Sequence, residues 1–308
     1  MERDQALVGR LFEEFRLRHP RSMAGIEEAR ALAPMEFDRI AGTCLRWCEL
    51  ALGVDALPKA ADAFARFSSD VNLAQGRYEL AGHYEHKSYE DCRRAVYDSP
   101  ETMSDYLWGV YLTNFLWAHH LELLLFFERR FLPRLIGKDR IIEIAPGHGG
   151  WGLQALHRTA GLRLEGHDIS ATSVEIASRL AAAAGLSGQA RYRQGDALDL
   201  RDLPSPAADA CICCFLVEHL EQPALLLESM AHVLAEGGVA FFTGALTAAQ
   251  VDHIHEFRRE SELVLMAERA GFRVLEALSV APGRRLQRAR FLPRSMALLL
   301  QKKSNADW

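Results

Sequence analysis

A chain of 308 residues, 49% hydrophobic and 25% charged, has the composition of a globular protein with ample core, as one large domain or two unequal ones. Its formal net charge of −5 offers no basic field for nucleic acid or an anionic membrane. No apolar run reaches the ~18 residues of a membrane span, and Met1-Glu2-Arg3-Asp4 lacks the apolar stretch of a signal peptide. These features predict a cytoplasmic protein whose partner is a small molecule, not nucleic acid or membrane. Of the six cysteines (Cys44, Cys48, Cys92, Cys211, Cys213, Cys214), only Cys211 and Cys214 have C-x-x-C spacing, and with Cys213 they share one apolar run. They read as reduced thiols.

Residues 1–135 read as helical. Leu7, Leu11 and Phe15, then Phe37, Ile40, Cys44, Trp47 and Cys48, recur at three- and four-residue spacing, and Pro20, Pro34, Pro58 and Pro100 mark joints. The apolar segment from Met103 to Phe131 reads as a buried helix clamping this helical cap onto the following domain. Six of the seven tyrosines lie between Tyr78 and Tyr111, with Trp108, Asn114 and Trp117 close by. Aromatic faces can stabilise a cationic ligand; a stripe at helical spacing can equally be core.

From residue 139 onward strands and helices alternate, the pattern of a doubly wound α/β sheet. Ile141-Ile142-Glu143-Ile144 runs into Ala145-Pro146-Gly147-His148-Gly149-Gly150-Trp151-Gly152 and then a helix-forming segment. Strand, glycine-rich turn and helix in that order build a nucleotide-cofactor site. A second strand ends at Asp168, 18 residues past Gly150, where an acid can accept hydrogen bonds from ribose hydroxyls. A third segment, 190–198, ends in Gly195-Asp196-Ala197. The fourth strand, 208–214, leaves through Phe215 into Val217-Glu218-His219-Leu220. The fifth is Val239–Gly244, preceded by a helix ending at 235–238, and strands at 272–280 and 295–302 complete the set. The arginine-rich segment between those two reads as a solvated hairpin rather than a phosphate site. No metal cluster is legible: His119-His120 are adjacent, and His253-x-His255, read as helical, splays its two rings. No metal is expected.

These pieces resemble the class I S-adenosylmethionine (SAM)-dependent methyltransferases. The resemblance rests on Glu143 to Gly149, Asp168, the Gly195-Asp196-Ala197 turn, Val217 to Leu220 and Leu234 to Gly238. It implies a Rossmann-like seven-stranded methyltransferase domain (136–308) beneath an N-terminal all-helical cap (1–135). It also implies SAM as the ligand, held by Glu143, Ala145, Gly147, Gly149, Asp168, Ile169, Asp196, Ala197, Phe215 and Glu218. Ala145 departs from the glycine usual in that family.

A narrower resemblance is to azetidine-2-carboxylic acid synthases, which cyclise SAM itself: the methionine amine attacks Cγ and expels 5′-methylthioadenosine. There a cap asparagine and an aromatic residue after the glycine loop fold the methionine. Asn114 and Trp151 match those positions, although the family aromatic is tyrosine. On this reading Tyr78, Tyr106 and Tyr111 cage the sulfonium. Two activities are implied, cyclisation of SAM first and, as the alternative, methyl transfer to oxygen or nitrogen of a small metabolite.

Overall fold

The computed structural model describes residues 2–97, 99–200, 203, 205–283 and 289–304. Helices α1 (Glu2–Arg18), α2 (Met23–Leu32), α3 (Pro34–Leu52), α4 (Ala56–Ala81), α5 (Tyr89–Cys92), α6 (Pro100–Leu116) and α7 (Ala118–Phe126) come first. Strand β1 (Arg140–Ile144) then opens a sheet with β2 (Arg163–Asp168), β3 (Ala190–Gln194), β4 (Ala208–Cys214), β5 (Leu234–Leu246), β6 (Phe272–Val280) and β7 (Arg294–Lys302). Between the strands run α8 (Gly150–Arg158), α9 (Ala171–Ala183), α10 (Pro223–Val233) and α11 (Glu260–Arg269).

The strand order is β3-β2-β1-β4-β5-β7-β6, with β7 antiparallel to both its neighbours and the other pairs parallel. The order reverses between β1 and β4, and in open α/β sheets ligands sit at that switch point, beyond the carboxyl ends of the strands. Central strands are covered on both faces, so they read as continuous apolar runs. Cys211 and Cys213 are small core residues there, fully buried.

The helical region does not stand apart from the sheet. Phe127 and Phe131 meet Phe241 of β5, and Trp151 of α8 packs on Phe127 and Phe241 at ring-centroid distances of 5.3 and 5.6 Å. One apolar cluster thus runs from α1 through α6 to β5 and β7. Polar stitches add register: Gln75 of α4 donates to the Thr247 carbonyl and accepts from the Ala249 N–H (3.2 and 2.8 Å), and Tyr84 donates to the Ala248 carbonyl (2.9 Å).

Three details differ from the expectations drawn from sequence. The 103–131 stretch is not one helix: Trp117, in extended backbone, separates α6 from α7 and stacks on His119 at 5.4 Å. Strand β5 begins at Leu234, since Gly237 (φ 70°) turns the chain within the strand rather than ending a helix. Residues 253–255 form a loop rather than a helix, which alters the metal question below. Of the arginine-rich segment, Arg284, Arg285 and Arg288 lie outside the described residues. Among the described residues no helix is long and apolar enough to cross a membrane.

Candidate active site

Three residues other than glycine have left-handed backbone among those described: Ala145 (φ 48°), Phe215 (φ 53°) and Thr247 (φ 48°). They are the first residues after β1, β4 and β5 respectively. Each costs about 1–2 kcal/mol relative to ordinary backbone, and such strain gathers where a site requires it. All three turns open on the same end of the sheet. Replacing Ala145 by glycine, the residue usual in the resembled family, is expected to raise stability by about 1 kcal/mol in chemical denaturation. An unchanged midpoint would mean that the Ala145 methyl group is compensated by contacts of its own.

Between this end of the sheet and α4, α6 and α7 lies a cavity of about 1580 Å³. Glu143, the one acid within β1, lines it and is 2% exposed. One carboxylate oxygen accepts from the Gly152 N–H (3.0 Å), while the other, Oε2, is buried with no partner. Burial pushes its pKa up to about 8, against the Gly152 hydrogen bond and with the help of Asp168. Asp168, at the end of β2, accepts from Gly147 N–H and Ser170 N–H, both at 2.9 Å, so it holds the glycine-rich turn (Gly147 φ 54°) in place. Its pKa is also raised by burial.

Ile169, Asp196 and Ala197 line the same cavity. Ile169 is 49% exposed, an apolar side chain left at the mouth where a planar base could cover it. Asp196 is exposed and accepts from the Leu198 N–H (2.8 Å). Phe215 stacks on His120 of α7 at 4.9 Å. Gly149 (φ 73°) supports the turn from behind, where an added Cβ would meet the Tyr192 hydroxyl at 2.8 Å. Glu218 is fully buried and lines the cavity near His219.

The cap residues divide. Asn114, Trp151 and Tyr106 line the cavity, joined by Tyr97 and Tyr89. Tyr78 and Tyr111 do not belong to its lining and need correcting as cage residues. Tyr78 turns its hydroxyl to Glu256 and packs against Tyr84 and Phe291 in a separate aromatic cluster. Tyr111 donates to the Cys44 carbonyl (2.9 Å) and puts its ring against His148 from behind. Helical phase decides this: α4 and α6 turn these two rings into the packed interior.

His148 is the residue that sequence reasoning left without a role. Its Nδ1 accepts from the Gly150 N–H at 2.9 Å, and burial lowers its pKa to about 3. A neutral imidazole whose Nδ1 accepts must carry its proton on Nε2. Nε2 lies 3.3 Å from the Asn114 amide nitrogen Nδ2; with the proton on Nε2, the amide pairs with it only when turned over to present its oxygen. The loop thereby fixes which end of Asn114 is presented. Its sequence signal was a histidine set between glycines.

Four imidazoles on the cavity wall are held neutral by burial: His119 (about 4), His120 (well below normal), His148 and His253 (each about 3). The Thr113 hydroxyl donates to the Val110 carbonyl, so it accepts from His120 Nδ1 at 3.0 Å. That leaves His120 Nε2 with its lone pair.

Residues 142–242 match the family model described as a methyltransferase domain. Ajmaline N-methyltransferase of Rauvolfia serpentina is 30% identical over 122 residues, a match spanning 40% of this chain and only 38% of that relative. An O-methyltransferase family protein from Burkholderia thailandensis superposes with a TM-score of 0.58 at 15% identity, covering 82% of this chain and 74% of its own. The 4+2 cyclase SpnF does so at 0.50 and 19%, covering 62% and 83%. The seven-stranded sheet with its flanking helices and helical N-terminal region has the Rossmann-like methyltransferase fold. The matched segment runs from within β1 to within β5.

Proposed function

We propose that this chain is a SAM-using enzyme that methylates an oxygen or nitrogen of a second small molecule held in the same chamber. The observation that carries this is the chamber's size: about 1580 Å³, against roughly 300–1,000 Å³ for a pocket built around one drug-sized ligand. The residues fit SAM. Glu143 Oε2, buried and unpartnered, suits an ammonium group; Gly147 and Asp168 shape the turn; Ile169 and Asp196, which line the same cavity, are assigned to the base and its amino group. Bound SAM supplies an electrophilic methyl group on a sulfonium. The chain's part is to hold the acceptor in line and to take its proton. His120 Nε2, neutral and unprotonated, is suited to that task.

Cyclisation of SAM is kept as the second reading, because Asn114 and Trp151 both line the wall beside the glycine-rich turn. Its cage is reduced to Tyr106, with Tyr97 and Tyr89 as replacements. One experiment separates the two. Purified protein is incubated with SAM alone and with a mixture of phenols and secondary amines, and the nucleosides are followed by mass spectrometry. Intact SAM in the first case and S-adenosylhomocysteine in the second is expected. With an acceptor identified, His120→Gln is expected to slow methyl transfer about 100-fold while leaving SAM affinity unchanged. Enzyme-dependent 5′-methylthioadenosine with a four-membered imino acid, formed from SAM alone, overturns methyl transfer in favour of cyclisation.

A further inference from the structure

The loop after β5 folds back across the turn after β4. Two main-chain N–H groups, of Ile254 and His255, donate to the Glu218 carbonyl at 2.9 Å each and clamp the two segments together. As a result a carboxylate oxygen of Glu218 and ring nitrogens of His219 and His253 all lie within 4.8 Å of one another. All three residues line the chamber. Periodicity in the sequence places His253 on a helix and predicts no metal; the loop is what brings it to its partners.

The hydrogen bonds settle the tautomers. His219 Nδ1 faces the Asp252 carbonyl at 3.0 Å and His253 Nδ1 faces the Ala248 carbonyl at 2.6 Å. A carbonyl only accepts, so each ring carries its proton on Nδ1 and its lone pair on Nε2. Carbonyls holding Nδ1–H are the usual support behind a metal-binding imidazole. Glu218 is fully buried, yet neither carboxylate oxygen makes a hydrogen bond of good geometry; the N–H groups of Glu218 itself and Ala245 merely approach. Beside it lies a second fully buried acid, Asp252. Its Oδ2 accepts from Tyr97 (2.9 Å) and the Tyr106 hydroxyl lies close to the carboxylate, while Oδ1 makes no hydrogen bond of good geometry. A buried carboxylate without donors is costly unless a cation meets it.

We infer that Glu218, His219 and His253 form a binding site for one divalent transition-metal ion, of the zinc, cobalt or iron(II) kind, opening on the chamber. Two imidazole nitrogens and one carboxylate oxygen are the donor set of three-ligand sites that leave a position for water or substrate. Asp252 stands behind His219, its Oδ2 3.4 Å from Nδ1. The cap tyrosines Tyr97 and Tyr106 hold Asp252, so the helical region supports the site from above. An ion there would polarise an oxygen placed on its open position.

The test uses the full chain, stripped with a chelator and titrated with Co²⁺ alone, without SAM, reading visible d–d absorption. One Co²⁺ per chain, displaced by Zn²⁺, is expected. Glu218→Gln and His253→Asn are each expected to weaken Co²⁺ binding by roughly 100-fold or more, with circular dichroism confirming the fold. His119→Ala, on the same wall, is expected to bind Co²⁺ normally. No d–d spectrum in the native chain, or an equal affinity in both folded variants, overturns the site. Because the titration contains no SAM, failure of the metal site and failure of the SAM reading are separate results.

Discussion

Gly152→Ala is expected to weaken SAM binding by about 100-fold and to destabilise the protein by roughly 1–3 kcal/mol, the range for forcing an extra methyl into a packed interior. A Cβ at Gly152 would stand 2.3 Å from Glu143 Oε2 and 2.4 Å from Leu164 Cδ1. Leu164 is buried and packed, and Glu143, which lines the cavity, can yield only by swinging its carboxylate out of its present position. The shift would also break the Gly152 N–H bond that orients the carboxylate. Gly76 is the control. It sits exposed in the C-terminal part of α4 with nothing within 4 Å of an added Cβ. Gly76→Ala is therefore expected to stabilise by about 0.5–1 kcal/mol and leave binding untouched. Calorimetric titration with SAM and urea denaturation read both variants. Normal affinity in a folded Gly152→Ala chain would remove Glu143 from the ligand site.

How much of the site is legible in sequence depends on how local each interaction is. Glu143 and Gly152 are nine positions apart, and strand, turn and helix are consecutive, so the glycine-rich turn announced itself. Asp168 was legible for the same reason: its distance from the glycines is set by one helix and one strand. Ala145 looked like a mild departure from a pattern, and only the backbone showed that it sits in a left-handed conformation. The cap was legible as helical but not in its facing. Tyr78 and Tyr111 share α4 and α6 with residues that do line the chamber, and a turn of about 100° per residue separates wall from core. Trp117 breaks the long apolar stretch through its packing on Phe67 and His119, which no local rule specifies. The Glu218–His219–His253 cluster was least accessible, because it joins two loops that come after different strands. Periodicity also misassigned the 253–255 loop to a helix.

Binding of SAM at pH 7 is expected to release close to one proton, and Glu143→Gln is expected to abolish that release. The carboxyl is buried, and burial moves its pKa from an ordinary 4.5 to about 8. At pH 7 the unliganded protein therefore keeps it about 90% protonated. An ammonium group placed against Oε2 favours the carboxylate and drives the proton off. Titration calorimetry in two buffers of different ionisation enthalpy counts that proton directly. The same shift sets the sign for stability. Between pH 4.5 and about 8 the folded state holds a proton that the unfolded state has lost, so stability falls as pH rises through this window. The penalty is absent below pH 4.5 and complete above about pH 8, at most roughly 5 kcal/mol. Glu143→Gln cannot ionise, so its stability relative to the native chain is expected to be greater at about pH 8.5 than at about pH 5. Equal differences at the two pH values would mean that the carboxyl is ionised throughout. Proton release that survives in Glu143→Gln would place the coupled group elsewhere in the chamber, with Asp168, the other buried acid of the turn, as the residue to replace next.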